Sequence, residues 1–365
     1  MPQPSPPKVY FWPLTASRKA PYAQRMRRLL KVSTFISLVT PGDLVALKIH
    51  FGELGGTAFI QPQWLLPVID TLRKAGTAPF LTDTNTLYVG QRGEAVSHSM
   101  LAAQHGFDPL RLGAPVVIAD GLKSHNQVSV PGIGPHFDHC YLAGDLLDAD
   151  AMITLSHFTG HELTGFGGAL KNVAMGCASR QGKMRQHCGL GPRVHSENCV
   201  GCGRCVEVCA SGALALDESG AITLDQEACT GCANCILACH HNCLHINWDL
   251  DLTRFLERMA EYAGAFLNAF TNPLLHMSFL MNITPKCDCT SYSDAPMCPD
   301  IGILAAFDPV ALDQASLDLV NAAAPQGNTA DVFQSLHPKT GGTSLLRMAE
   351  HLGLGRRKYH LQRVE

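Results

Sequence analysis

The strongest constraint on this chain is a duplicated cysteine pattern. Cys199, Cys202, Cys205 and Cys209 form a C-x2-C-x2-C-x3-C run, and Cys229, Cys232, Cys235 and Cys239 repeat it thirty residues later. Three thiolates spaced this tightly wrap three corners of a cubane, while the fourth, one helical turn on, reaches across to the other cluster. The pattern predicts two [4Fe-4S] clusters with crossed ligation: Cys199, Cys202, Cys205 and Cys239 on one, Cys229, Cys232, Cys235 and Cys209 on the other. Zinc is the competing reading, but a tetrahedral ion takes four ligands, usually as two separated pairs, and has no use for a third thiolate at that spacing. Gly201, Gly203 and Gly231 suit loops whose amides turn toward cluster sulfides. Cys243 is outside the repeat and reads as a nearby free thiol. Two clusters within range conduct single electrons, which predicts iron binding and electron transfer with a soluble protein donor or acceptor.

The full 365 residues are too many for that module alone. Fifteen Cys and 17 His behind a Pro-rich start with no apolar export segment read as metal ligation in a reducing cytoplasm, not as a disulfide framework. A net charge of −3 leaves no electrostatic footprint for nucleic acid. The longest apolar stretch near the end, residues 274–283, is broken by His276, Ser278 and Asn282 and is too short to span a bilayer.

Outside the cysteine repeat, short apolar runs alternate with segments of helical spacing, so the expected fold class is α/β, with mixed or mostly parallel sheets and covering helices. Strands are expected at 9–12, 43–51, 79–82, 115–119 and 150–157, and helices at 21–37, 62–75 and 93–105. Beyond the repeat, a helix is expected at 250–270, strands at 276–281 and 301–307, and a helix at 310–321 opened by Asp308 and Pro309. A last helix at 344–352 precedes a basic tail, 356–363, read as a solvated end. Three parts follow: 1–187 and 249–365 as two pieces of one α/β domain, and 188–248 as a small α+β insert. Two strand ends echo one another, His50-Phe51 and His157-Phe158, each with glycines and Glu-Leu close behind. Ligands of open α/β sheets sit beyond the carboxyl ends of the strands, so these histidines are expected to edge one crevice.

The cysteine segment resembles the bacterial two-cluster ferredoxins, with Ala210 and His240 where that family has Pro. The chain as a whole resembles the DUF362 family of uncharacterised iron–sulfur centre proteins. The likeness is carried, in order, by K-I-H-F-G-E from Lys48, G-F-G-G-A-L-K-N from Gly165, M-G-C-A-S-R-Q-G-K from Met175, C-D-C from Cys287 and P-D-I-G-I-L-A from Pro299. It implies iron–sulfur centres, with the ferredoxin insert where the family carries it, but no settled reaction. A fainter likeness joins His161 and the following glycine turn to the nickel-pincer lactate racemase family, with Gly167 where that family has Ser. It implies that small anionic organic molecules bind.

Three groups of residues are candidates for chemistry. Lys48, His50 and Glu53 fit an acid–base cluster at a strand end, Glu53 being alternatively a surface charge. The turn from Gly165 to Asn172 opens into a helix near Lys171, where amides, dipole and ammonium favour an anion; the alternative is a close helix–sheet approach. Cys287 and Cys289 are expected to ligate a third metal, zinc, copper(I) or iron, with partners among Cys298, Cys177, Cys188, His157, His161 and His187. The alternative is that these thiols are small buried hydrophobes. Asp313 reads as a helix-surface residue.

Together these readings describe an iron–sulfur redox protein that delivers electrons to a cleft. Lys48, His50, His161 and Lys171 are its catalytic candidates, and an anionic substrate or a third metal is reduced there, as in a ferredoxin-linked oxidoreductase. The alternatives are an electron-transfer adaptor or metalloenzyme maturation factor without its own turnover, and racemase-like or hydrolytic chemistry beside structural clusters.

Overall fold

The runs Leu-Val-Ala-Leu-Lys-Ile and Ala-Met-Ile-Thr-Leu-Ser-His lack in–out alternation, and all but the first residue are buried. Such runs belong in the middle of a parallel sheet covered on both faces. In the computed structural model they are neighbours at the centre of an eight-stranded sheet. The structure describes residues 5–364 apart from 19, 89, 189–190, 247–250, 325–330 and 341–342. The strands are β1 (Lys8–Pro13), β2 (Leu44–Ile49), β3 (Ala78–Asp83), β4 (Val116–Ile118), β5 (Ala151–His157), β6 (Leu274–Leu280), β7 (Gly302–Ala306) and β8 (His360–Arg363). Their spatial order is β8-β1-β7-β6-β5-β2-β3-β4, and β7 alone runs against its neighbours. The fold is α/β with a mostly parallel sheet, as the alternating pattern predicts.

The main helices are α1 (Tyr22–Val32), α2 (Leu66–Lys74), α3 (Ala95–Gln104), α4 (Ala169–Ala174), α5 (Arg180–Cys188), α6 (Leu252–Ala269), α7 (Pro309–Ala323) and α8 (Ser344–His351). On one face Leu29 and Leu30 of α1 and Val68 and Leu72 of α2 share a core with Leu47, Ile153 and Ile303. On the other, Leu170 of α4, Phe266 of α6 and Ala315 of α7 close over Met152 and Leu304. Asp308 caps α7 by accepting the Ala311 amide at 2.8 Å, as its place before Pro309 predicts.

Two expectations are corrected. The helix expected at 21–37 ends at Val32: Ser33 Oγ turns back to Leu30 O, and Thr34 takes a left-handed φ of 64° before a short 3-10 turn at Phe35–Leu38. The basic tail is no solvated end either. His360–Arg363 forms the edge strand parallel to β1, anchored by His360 N–H to Pro7 O and Val364 N–H to Phe11 O, with Val364 buried. Main-chain pairing does not depend on side-chain charge, and basic side chains suit an edge that must not recruit another strand.

The cysteine-rich segment forms a small unit of its own. Arg193–Val194 pairs antiparallel with Leu244–His245, and Leu214–Leu216 with Ile222–Leu224; short helices Arg204–Glu207 and Asn234–Ala238 follow the two cysteine loops. The expected boundary at 248–249 lies outside the described residues, as do 189–190 just past the other boundary. Among the described residues no helix is long and apolar enough to cross a membrane.

Candidate functional site

Parallel strands bring their carboxyl ends to one edge of the sheet, and a cavity of about 200 Å3 lies there. Lys48 from β2, Asp83 from β3 and His157 from β5 line it, together with His50 just past β2. Lys48 is 1% exposed, and its Nζ donates to Asp83 Oδ1 and to Asn172 Oδ1, both at 2.9 Å. Arg92 donates from Nε to Glu53 Oε2 at 3.1 Å and from Nη1 to Asp83 Oδ2 at 3.5 Å. Burial opposes ionisation of Asp83, but Lys48, His98, His50 and Arg92 outweigh it and hold the carboxyl well below the usual carboxylate range. Glu53 is therefore not a surface charge: it is buried, bound by Arg92 and by Tyr88 Oη at 3.1 Å.

The loop after β6 carries Cys287, Asp288 and Cys289 into the same cavity. It is fastened on both sides. Thr159 Oγ1 donates to Thr284 O at 2.9 Å and Thr284 Oγ1 to Lys286 O at 2.7 Å, and Tyr88 Oη, bonded to Glu53, lies 3.4 Å from Cys289 O. Gly160 must be glycine here, because a Cβ would stand 2.0 Å from Pro285 O. Asp288 Oδ2 lies 3.6 Å from both His50 Nδ1 and His157 Nδ1, so the two echoing histidines do edge one crevice. Burial works against the Asp288 charge, yet His50, His157 and Lys171 keep its carboxyl far below the ordinary value. Burial, followed by Arg92, lowers His50.

Lys171 Nζ donates to Cys287 Sγ at 3.3 Å, and the Cys289 amide donates to the same sulfur at 3.3 Å. The ligand atoms of His161, Cys287 and Cys289 all lie within 4.8 Å of one another, the one such set of His, Cys, Asp or Glu among the described residues. The hydrogen bond between the two thiols, reinforced by burial, raises Cys287; the same bond, with Lys171 and His161, lowers Cys289. Burial disfavours the Lys171 charge, but Cys287, Cys289 and Asp288 hold it above the ordinary lysine value. Of the other partners considered for Cys287 and Cys289, His157 and His187 line the cavity, Cys177 Sγ turns to Asn172 O at 3.6 Å, and Cys298 lies in the apolar core.

The amides of the glycine turn already have an internal acceptor. Asp313 is 1% exposed, and its carboxyl oxygens accept the Ala169 and Leu170 amides at 2.7 and 2.9 Å. This corrects the surface reading of Asp313 and removes the start of α4 as a docking point for an external anion. A Cβ on Gly168 would stand 2.4 Å from Asp313 Oδ1, which is why glycine is needed there. Lys171 remains in the cavity wall, and Lys183 joins it, donating to Ala178 O at 2.7 Å and to Thr84 Oγ1 at 2.5 Å. Asp83, Arg92, Asn172, Lys183 and Asp288 are cavity residues that the sequence reading did not single out. Asp83 had a weak signal, a carboxylate at the end of a strand, Arg92 had none, and Asp288 was in plain view between two cysteines.

Four of the eight repeat cysteines share a recess. Cys199, Cys202, Cys205 and Cys239 line it, together with Cys243. Cys235 is pushed up to about 12 by burial and by Cys232, Cys229 and Cys209 around it. Gly201, Gly203 and Gly231 have φ of 69°, 71° and 72°, in the left-handed region where successive amides turn to one side. The unit has a core of its own, with Cys205, Leu214, Ile222, Cys235 and Ile236, into which Leu87 and Met184 intrude from the main domain. Leu87 also lines the cavity. Arg180 ties the two together, donating to Asn234 Oδ1 at 3.3 Å, to Lys123 O at 2.9 Å and to Gly93 O.

Against known proteins, the model of the domain of unknown function DUF362 matches residues 45–318. No curated protein matches. Among solved structures, the chain is similar to the lactate racemase apoprotein from Thermoanaerobacterium thermosaccharolyticum at TM-score 0.37 and 13% identity, over 75% of this chain and 51% of that one. It is also similar to a structural-genomics protein from Thermotoga maritima at TM-score 0.44 and 10% identity, over 85% of this chain and 61% of that one. The chain thus spans roughly half to three-fifths of the length of these two proteins.

Proposed function

The chain belongs to the DUF362 family, and from that premise we propose that it is an iron–sulfur redox protein whose ferredoxin-like unit serves the cavity at the strand ends. The observation that carries the reading is the recess in which Cys239 of the second copy lies with Cys199, Cys202 and Cys205 of the first; the same crossing would pair Cys209 with Cys229, Cys232 and Cys235. Those eight residues would hold two [4Fe-4S] clusters. When bound, such clusters take up and release single electrons at potentials set by charge, hydrogen bonds and exposure. Leu87, shared between the core of the unit and the cavity wall, puts the two in direct contact.

The cavity residues support reductive chemistry on a small anion. Lys171 and Lys183 supply positive charge, and His50 and His161 are poised to carry protons. Lys48 holds Asp83 and Asn172 in place. A soluble protein would supply the electrons, and a reducing compartment such as the cytoplasm suits so many free thiols.

Anaerobically purified protein is expected to contain about eight irons and as many sulfides per chain, and to become paramagnetic on reduction. A colourless, zinc-loaded preparation, or one with about four irons, overturns the pair of clusters.

A further inference from the structure

Cys287 and Cys289 combine features that a buried thiol pair does not need for packing. Their sulfurs and a ring nitrogen of His161 lie within 4.8 Å of one another; Lys171 Nζ and the Cys289 amide donate to Cys287 Sγ, both at 3.3 Å, and that sulfur faces Asp288 Oδ1 at 3.4 Å. The orientation of His161 separates two readings of the trio. Its Nδ1 accepts the Leu163 and Thr164 amides, both at 3.2 Å, so the neutral ring carries its proton on Nε2. A ring in that tautomer donates to sulfur and has no lone pair left for a cation. The trio is therefore arranged to stabilise thiolates.

We infer that Cys287 and Cys289 form a redox-active dithiol that reduces small anionic disulfides by thiol–disulfide exchange. Cys289 is the more exposed of the two, and Cys287 is only 6% exposed, so Cys289 attacks and Cys287 resolves. The Cys289 thiolate attacks one sulfur of the bound disulfide, the substrate S–S bond breaks, and one product thiolate leaves and takes a proton. Cys287, deprotonated beside Lys171, then attacks the Cys289 sulfur and expels the second product thiol. One substrate disulfide becomes two thiols, and two cysteine thiols become one disulfide. The two protons pass from the cysteines to the products, and the pair is itself the reductant.

The substrate class follows from the cavity. About 200 Å3 admits only a small molecule. The cavity wall carries four cations, Lys48, Arg92, Lys171 and Lys183, against two carboxylates, Asp83 and Asp288, so an anionic substrate is favoured even beside one thiolate. This inference stands on the cavity alone and does not require the clusters.

The test is a single turnover. Holoprotein is reduced with a phosphine, freed of reductant without oxygen, and mixed with dithiodiglycolate or with neutral bis(2-hydroxyethyl) disulfide. Peptide mapping is expected to find Cys287 joined to Cys289. Cys287→Ala should instead trap a thioglycolate adduct on Cys289, an outcome read by mass rather than by activity. Lys171→Met should slow the reaction with dithiodiglycolate by about tenfold, and that with the neutral disulfide less. Iron content and circular dichroism, recorded in parallel, show whether each variant is folded and whether any clusters survive, so failure of the cluster reading is seen separately. Modification of other cysteines with Cys287 and Cys289 untouched overturns the inference. So does one equivalent of zinc bound by the wild type, lost from the Cys287→Ala/Cys289→Ala protein, and accompanied by no exchange.

Discussion

Asp313 lies in a helix of mostly apolar and small residues, and nothing in its local sequence announces its task. Burial raises its carboxyl from 3.8 to about 7, against the pull of the Leu170 and Ala169 amides. Between those values the folded chain holds a proton that the unfolded chain has released, so stability falls as pH rises from about 4 through about 7, and above that the full burden of the buried charge remains. Replacing Asp313 by Asn should flatten that part of the curve, as thermal midpoints measured across this range will show. A second residue-scale prediction concerns Cys243, whose Sγ lies 3.1 Å from Cys239 Sγ. On the cluster reading, the iron corner that Cys239 reaches is also open to Cys243. Cys239→Ser should then keep about eight irons, whereas Cys239→Ser/Cys243→Ser should fall to about four by iron analysis.

At the scale of elements, the buried Lys48–Asp83 pair joins β2 to β3 and, through Asn172, to α4. Lys48→Met leaves Asp83 charged without its main partner and should destabilise the fold by about 3–5 kcal/mol in denaturant titrations. The strands and long helices were legible because continuous apolar runs and helical spacing are local signals; β2, β5, α6 and α7 lie within a few residues of where the pattern puts them. The hairpin of Gln127–Pro131 and His139–Ala143 was not, because its strands are only five residues each and a seven-residue loop separates them. The same limit governed the site. His50, His157 and the C-D-C loop were legible as strand-end and cysteine signals, and their meeting followed from the parallel sheet. The internal bonds of Asp313, Glu53 and the tail strand were not, since each depends on a partner more than thirty residues away.

At the scale of the whole molecule, the apolar seat of the small unit includes Leu87 and Met184. Truncating both to Ala should raise hydrogen exchange across residues 193–245 while leaving the central sheet protected, because the sheet's two cores do not include either residue. Equal loosening of both would mean that the unit and platform unfold as one. The antiparallel pairing of Arg193 with His245 has a practical side. Where the chain leaves the platform and where it comes back are cross-strand neighbours, about 5 Å apart, so a two- or three-residue tether replaces everything between them. The truncated chain offers the strand-end pocket for study apart from the cysteine-rich unit.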